Sequence, residues 1–374
     1  MTRLIVKRYV ILTALFSLIC GTLTAQPPRR APIVSPEIHP DRTVTFRMRA
    51  PNAKQIELNG QFLKANQPMT KGDDDLWQTT VGPIEPNLYH YAFVVDGINV
   101  ADPNNPLLFP NERFKNSLIN VPGDNPSLHE CQNVPHGKVD YCFYHSKLLG
   151  PRPLLVYTPP GYASKTERLP VLYLVSGTTD TEETWFKVGC VNFILDNLIA
   201  QGNATPMIVA MPYGNMMSGT PAPSSPEAAE MYKRFSVELT QEIIPFVETH
   251  YRTHADRKYR AIAGFSRGGG QSLYAAMMHR DLFAWIGSYS AYLTPEVVQS
   301  HLSDFVKNPE KTNEEMKLVW LGVGKADFLF EPAQKFDAYL TEKGITHQSL
   351  GTEGGHTWMN ARHYLAETLQ LFFK

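Results

Sequence analysis

Along residues 43–95, apolar and polar positions alternate in short runs. TVTFRM at 43–48, QIEL at 55–58, WQTTV at 77–81 and YHYAFVV at 89–95 each carry a two-residue period. That period puts successive side chains on opposite faces of a strand. Between the runs lie Pro51-Asn52, Lys71-Gly72-Asp73-Asp74-Asp75 and Asp96-Gly97, residue types that favour turns. Short alternating strands at this spacing predict a small all-β, immunoglobulin-like sandwich over residues 35–122. Trp77, Tyr89 and Tyr91 fit its core better than a sugar-binding face.

Pro122-Gly123-Asp124-Asn125-Pro126 reads as a linker, so 123–150 forms the connection and the start of a second domain. After it the pattern changes. LLVY at 154–157, VLYLV at 171–175 and MIVAM at 207–211 are apolar almost throughout, as expected of strands covered on both faces. Helical periods occupy 188–200 and 232–251, and strands return at 260–263, 286–289 and 318–321 before a last helix from about Met359. Strand–helix alternation predicts an α/β domain over 151–374, with a largely parallel sheet between two layers of helices. The Gly-, Ser- and Pro-rich stretch from Met216 to Pro226 reads as a loop at a strand's carboxyl end, with a lid as its functional reading.

The chain's 374 residues, 43% of them hydrophobic and 19% charged, suffice for two packed domains. A net charge of −1 argues against a nucleic-acid partner. Arg3, Lys7 and Arg8 precede an apolar stretch at 10–19 that is short for a membrane span. Residues 1–25 therefore read as a signal peptide with cleavage after Ala25, implying a secreted or periplasmic chain with no membrane span once mature. The bulky Leu18-Ile19 before Cys20 argues against a lipoprotein anchor. Residues 26–34, rich in Pro and Arg, read as a mobile leader. Of the remaining cysteines, Cys131 and Cys142 could close a short loop, while Cys190 sits in an apolar helical pattern as a buried thiol. His129, Cys131, His136, Cys142 and His145 are dense, but their spacing matches no paired-ligand pattern, and no metal or organic cofactor is expected.

The segment Gly264-Phe265-Ser266-Arg267-Gly268 lies between an apolar strand and a helix. A serine on so sharp a turn needs strained backbone angles, and side chains two residues to either side would collide. The hydroxyl is then held out at the carboxyl end of the sheet, beside the amide groups of a helix start. A serine hydroxyl needs a general base, and in this topology the acid and the histidine follow it in that order. Asp327 follows the strand at 318–323, and His356 stands in Gly354-Gly355-His356-Thr357-Trp358 before the terminal helix. Ser266, Asp327 and His356 are the candidate catalytic residues.

Several segments carry a resemblance to a known family. They are VYTPPGY at 156–162, LPVLYL at 169–174, DNLIA at 196–200, RAIAGFS at 260–266 and GGHTW at 354–358. Residues 151–374 resemble the putative esterase family, of carbohydrate esterase family 1 type, which includes feruloyl esterases, acetylxylan esterases, esterase D and enterobactin esterases. VTFR at 44–47 with Ala50-Pro51-Asn52-Ala53, and VVDG at 94–97 with Asp102-Pro103-Asn104, resemble the early-set sandwich of family 48 carbohydrate-binding modules. The resemblance implies an α/β-hydrolase fold and a secreted serine esterase, most directly a feruloyl esterase acting on esterified plant polysaccharide. Acetylated carbohydrate and siderophore esters are the alternative substrates, and a glycan-binding protein with a decayed site is the non-enzymatic one.

The family usually has His-Gly where this chain has Ser176-Gly177, so an oxyanion-hole amide is expected from Thr178 or Thr179, joined by that of Arg267. The Arg267 side chain is expected to pair with a surface carboxylate or, less commonly, to face the pocket. Trp185 and Trp358 are candidates for lining an aromatic acyl pocket. Since all three candidate catalytic residues lie beyond residue 150, the sandwich is expected to be dispensable for the chemical step.

Overall fold

The structure, a computed structural model, describes residues 32–216, 221 and 225–374. The predicted signal peptide and residues 26–31 of the leader lie outside the described residues, as do 217–220 and 222–224 of the 216–226 loop. Among the described residues no helix is long and apolar enough to cross a membrane.

The alternating runs form two antiparallel sheets. One orders β1 (Glu37–Ile38), β2 (Val44–Arg49), β6 (Leu76–Val81) and β5 (Thr70–Lys71). The other orders β4 (Gln67–Pro68), β3 (Ile56–Gly60), β7 (Asn87–Val95) and β8 (Ile98–Val100), with β9 (Ser117–Val121) also paired to β7. Val44, Phe46, Ile56, Leu58, Trp77, Tyr89, Tyr91 and Phe93 fill the space between them. Alternation thus sends Tyr89, Tyr91 and Phe93 inward, and Leu88 and His90 to the opposite face of β7.

The second domain holds an eight-stranded sheet in the order β10 (Lys138–Ser146), β11 (Gly150–Thr158), β13 (Ile208–Pro212), β12 (Val171–Val175), β14 (Arg260–Phe265), β15 (Trp285–Tyr289), β16 (Leu318–Gly324) and β17 (Gln348–Thr352). From β13 to β17 neighbouring strands run parallel, and β10 and β11 pair antiparallel. Strand β10 was hidden in the expected linker because its residues are half exposed and only weakly patterned. The predicted helix at 232–251 starts earlier, at Pro226, where the Ser225 hydroxyl accepts from the Ala228 amide and proline occupies the first turn.

Apolar clusters cover both faces of this sheet, and Leu88, Phe109 and Leu118 belong to the cluster around Leu155, Trp185 and Leu365. The sandwich is therefore not tethered by a free linker. It shares a core with the α/β domain, and residues 35–374 form one compact unit. Arg362, buried on the terminal helix Trp358–Leu369, adds a polar tie. It donates to the carbonyls of Val188 (2.8 Å) and Leu88 (3.0 Å) and to the Asn87 side chain (2.6 Å). Burial pushes its pKa down to about 10. Removing one side of a buried charged network strands its partners. Arg362→Ala should cost about 3 kcal/mol and lower the melting temperature by several degrees. A melting temperature within one degree of the parent would show that the two domains hold together without it.

Candidate active site

Strand β14 is buried along its whole length and is followed at once by the helix Arg267–Met278. Between them Ser266 takes φ 56° and ψ −121°, far from any relaxed conformation of an L-residue. Hydrogen bonds on both sides hold it there, from the Ser266 amide to the Tyr289 carbonyl (2.8 Å) and from the Gly270 amide to the Ser266 carbonyl (3.1 Å). A Cβ on Gly268 would run into the Val175 and Ser176 carbonyls, and one on Gly264 into the backbone of Gly268. The turn closes only because both positions lack a side chain.

Asp327 and His356 arrive on the loops after β16 and β17. These loops are joined to each other, by Lys325 N–H to the Thr352 carbonyl (2.8 Å) and Ala326 N–H to the Gly354 carbonyl (2.9 Å). Thr357 caps the terminal helix by accepting from the Asn360 amide, and the Asn360 side chain returns to the Gly355 carbonyl. The acid and the imidazole are thus fixed as one unit. His356 Nε2 lies 2.8 Å from Ser266 Oγ, and its Nδ1 lies 2.9 and 3.1 Å from the two Asp327 oxygens. Asp327 Oδ1 also accepts from the Leu329 amide (2.8 Å). Burial raises the Asp327 pKa, but the bonds from His356 and Leu329 outweigh it, and the net shift is downward. Phe265 stacks on the His356 ring at 4.8 Å, and Phe328, 74% exposed, covers it at 4.7 Å.

The loop 176–180 faces Ser266 across the elbow. Gly177 passes so close to Asp180 and Phe265 that a Cβ there would meet an Asp180 oxygen at 2.9 Å. Thr179 takes φ 62°. Among the described residues the amides of Thr178 and Thr179 bond to no backbone carbonyl or side chain, and that of Arg267, first in its helix, has no intrahelical acceptor. The predicted oxyanion donors are therefore all available.

Sequence reasoning missed what holds this loop. Asn111, in the segment before β9, donates to Thr179 Oγ1 and to Asp180 Oδ1, both at 3.0 Å, and the Glu112 amide donates to the Thr179 carbonyl (2.8 Å). Asp180 is buried, which pushes its carboxyl up to about 7 against the pull of Asn111 and of the Arg267 charge. Asn111→Ala should leave the loop free to drift, and a misplacement near 1 Å can cost about 100-fold in rate. We expect kcat to fall at least tenfold with a smaller change in KM; a kcat within twofold would mean that Glu112 alone sets the loop.

Several expectations need correction. Among the described residues the Arg267 side chain pairs with no surface carboxylate and is not part of the cleft lining; it is buried beneath, in the field of Asp180, Glu112 and Tyr213, and burial lowers its pKa. Trp185 does not line the cleft either: it is fully buried, its indole N–H donates to the Val175 carbonyl (2.9 Å), and its ring packs edge-on behind Trp358. Trp358 does line it. Cys131 and Cys142 are unpaired; Cys131 approaches His136 and Cys142 approaches Tyr251. His136 turns to the buried Asp196 and His129 to Asn120, so the Cys/His stretch does not converge.

Ser266 opens into a cleft of about 460 Å³. Phe265, Phe328, His356 and Trp358 form the wall given by the α/β domain, and Gln61, His90, Phe109, Asn111 and Phe114 form the other. The sandwich, through β7, Gln61 and its segment between β8 and β9, thus supplies one wall of the site, which removes the basis for treating it as dispensable. Among the described lining residues none is Lys or Arg.

Residues 146–372 match the family described as Putative esterase. An endo-1,4-beta-xylanase/feruloyl esterase of Xylanibacter ruminicola is 28% identical over 358 residues, covering 93% of this chain and 47% of the relative, so the chain spans about half of that protein. A solved ferulic acid esterase superposes with a TM-score of 0.55 at 26% identity, over 64% of this chain and 98% of the other. The enterobactin esterase of Shigella flexneri superposes with a TM-score of 0.64 at 19% identity over 88% of this chain and 92% of its own, a likeness of fold.

Proposed function

The chain belongs to the Putative esterase family, and from that premise we propose that it is a serine carboxylic-ester hydrolase that releases aromatic acyl groups of the feruloyl type from plant polysaccharide. The observation that carries this reading is the hydrogen-bonded chain from Ser266 through His356 to Asp327 at the base of an aromatic-walled cleft. In this mechanism His356 Nε2 takes the Ser266 proton as Oγ attacks the ester carbonyl, and Asp327 holds Nδ1–H and stabilises the imidazolium. The amides of Arg267 and of Thr178 or Thr179 receive the developing oxyanion, at about 3 kcal/mol per donor. His356 then returns the proton to the departing sugar oxygen, and water attacks the acyl-enzyme by the same route. The relative from Xylanibacter ruminicola and the superposed ferulic acid esterase support the acyl group. A cleft without Lys or Arg among its described lining residues suits a neutral aromatic ester better than an anionic catecholate siderophore.

Parallel assays with methyl ferulate, acetylated xylan, a catecholate siderophore ester and p-nitrophenyl acetate test the reading. It requires methyl ferulate to have the highest kcat/KM among the first three. Turnover of acetylated xylan with none of methyl ferulate would replace it with a carbohydrate acetyl esterase.

A further inference from the structure

On the outer face of β7 a histidine stands in the active-site wall. Its neighbour on that face, Leu88, is buried in the shared core, whereas His90 is only partly covered and borders the cleft. The Asn116 side-chain NH2 lies 2.8 Å from His90 Nδ1. An amide NH2 can only donate, so Nδ1 is the acceptor and the ring proton of neutral His90 sits on Nε2. Burial pushes the His90 pKa down to about 4, which keeps the imidazole neutral. Among the described residues no acceptor meets the Nε2–H. The ring packs beside Phe109, edge-on at 5.6 Å, and Phe114 at 6.0 Å, and those two rings are 5.0 Å from each other. Beside it the Gln61 carbonyl oxygen accepts from the His90 amide (3.1 Å), which leaves the Gln61 NH2 as a second donor at the same wall.

We infer that His90 and Gln61 of the sandwich are specificity-determining residues, whose N–H groups read oxygen substituents on the ring of an aromatic acyl group seated against Phe109 and Phe114. This rests on the aromatic-ester reading above. It gives the sandwich a role in choosing the acyl group rather than in holding a polysaccharide. Phenolic and methoxy oxygens both accept hydrogen bonds, so both kinds of substituent would be recognised. A ring without oxygen would leave two partly desolvated donors unmet, and a site built to bond a polar group discriminates strongly against an analogue lacking it.

The test is the ratio of kcat/KM for methyl 4-hydroxy-3-methoxycinnamate over methyl cinnamate, measured on the full chain. The parent should favour the oxygenated ester by at least tenfold. His90→Leu should cut that ratio about tenfold, and Gln61→Leu should cut it too. Asn116→Leu keeps the imidazole but removes the group that fixes its tautomer, and should cut the ratio by less. His90→Gln, which restores an N–H, should recover part of it. Gln61 is half-buried on a turn, so its variant carries the test should His90→Leu fail to fold. A parent ratio near one, or variants that slow both esters equally, would overturn the inference while leaving the aromatic-ester reading intact. Turnover of neither cinnamate, with p-nitrophenyl acetate still cleaved, would overturn both.

Discussion

Ser266→Ala is expected to reduce ester turnover by about 10³- to 10⁶-fold while the fold stays intact. The loss is large because the hydroxyl supplies the bond-forming atom, and no neighbouring group can take its place. The fold should survive because the elbow is held by backbone hydrogen bonds at Ser266 and by the close approach of Gly264 and Gly268, none of which involves Oγ. A methyl group fits where the CH2OH stood, although the strained φ of 56° remains. Turnover and melting temperature measured on the same preparation check this. Activity within tenfold of the parent would remove Ser266 as nucleophile.

Asp327→Asn should lower kcat by about 10⁴-fold. Both carboxylate oxygens lie within hydrogen-bond distance of His356 Nδ1, and one of them also accepts from the Leu329 amide. Asparagine keeps one acceptor but turns an NH2 toward the ring, which favours the tautomer with the proton on Nε2. That nitrogen could no longer accept the serine proton. The same change bears on acid stability. The Asp327 carboxyl is held below its ordinary pKa in the folded chain. Its stabilising contribution is therefore present above the unfolded pKa and is lost as pH falls through the folded one. Asp327→Asn should flatten that part of the acid unfolding curve. A variant within threefold of the parent in kcat would mean that the acid lies elsewhere.

The elbow, the chain order of its proposed partners and the change from an all-β to an α/β region were legible in the chain because each is written in local pattern. A strand-to-helix turn tight enough to expose a serine excludes side chains at two flanking positions, so the glycines at 264 and 268 announce it. Period-two runs announce the sandwich, and solid apolar runs announce the covered sheet. Asp327 could be found because it follows a predicted strand, and His356 because it stands among glycines just before the terminal helix, in the expected chain order after the acid. Strand β10 escaped, since an exposed edge strand places few demands on its residues.

What the sequence could not carry was any contact between positions far apart in the chain that no period relates. Asn111 and Thr179 meet across 68 residues, and Arg362 reaches Leu88 across 274. Which face of β7 turns outward is fixed by alternation, but that this face closes the cleft is fixed by the apolar fit of Leu88, Phe109 and Leu118 against the hydrolase core. The same cluster buries Trp185, and the neighbourhood of Asp180, Glu112 and Tyr213 buries Arg267, which on its helix alone looks like a surface residue. The chain by itself determined where the candidate nucleophile and its proposed partners stand, because these depend on backbone geometry at single turns. The tertiary structure alone decided what surrounds them, because burial and the field at a side chain depend on which surfaces meet.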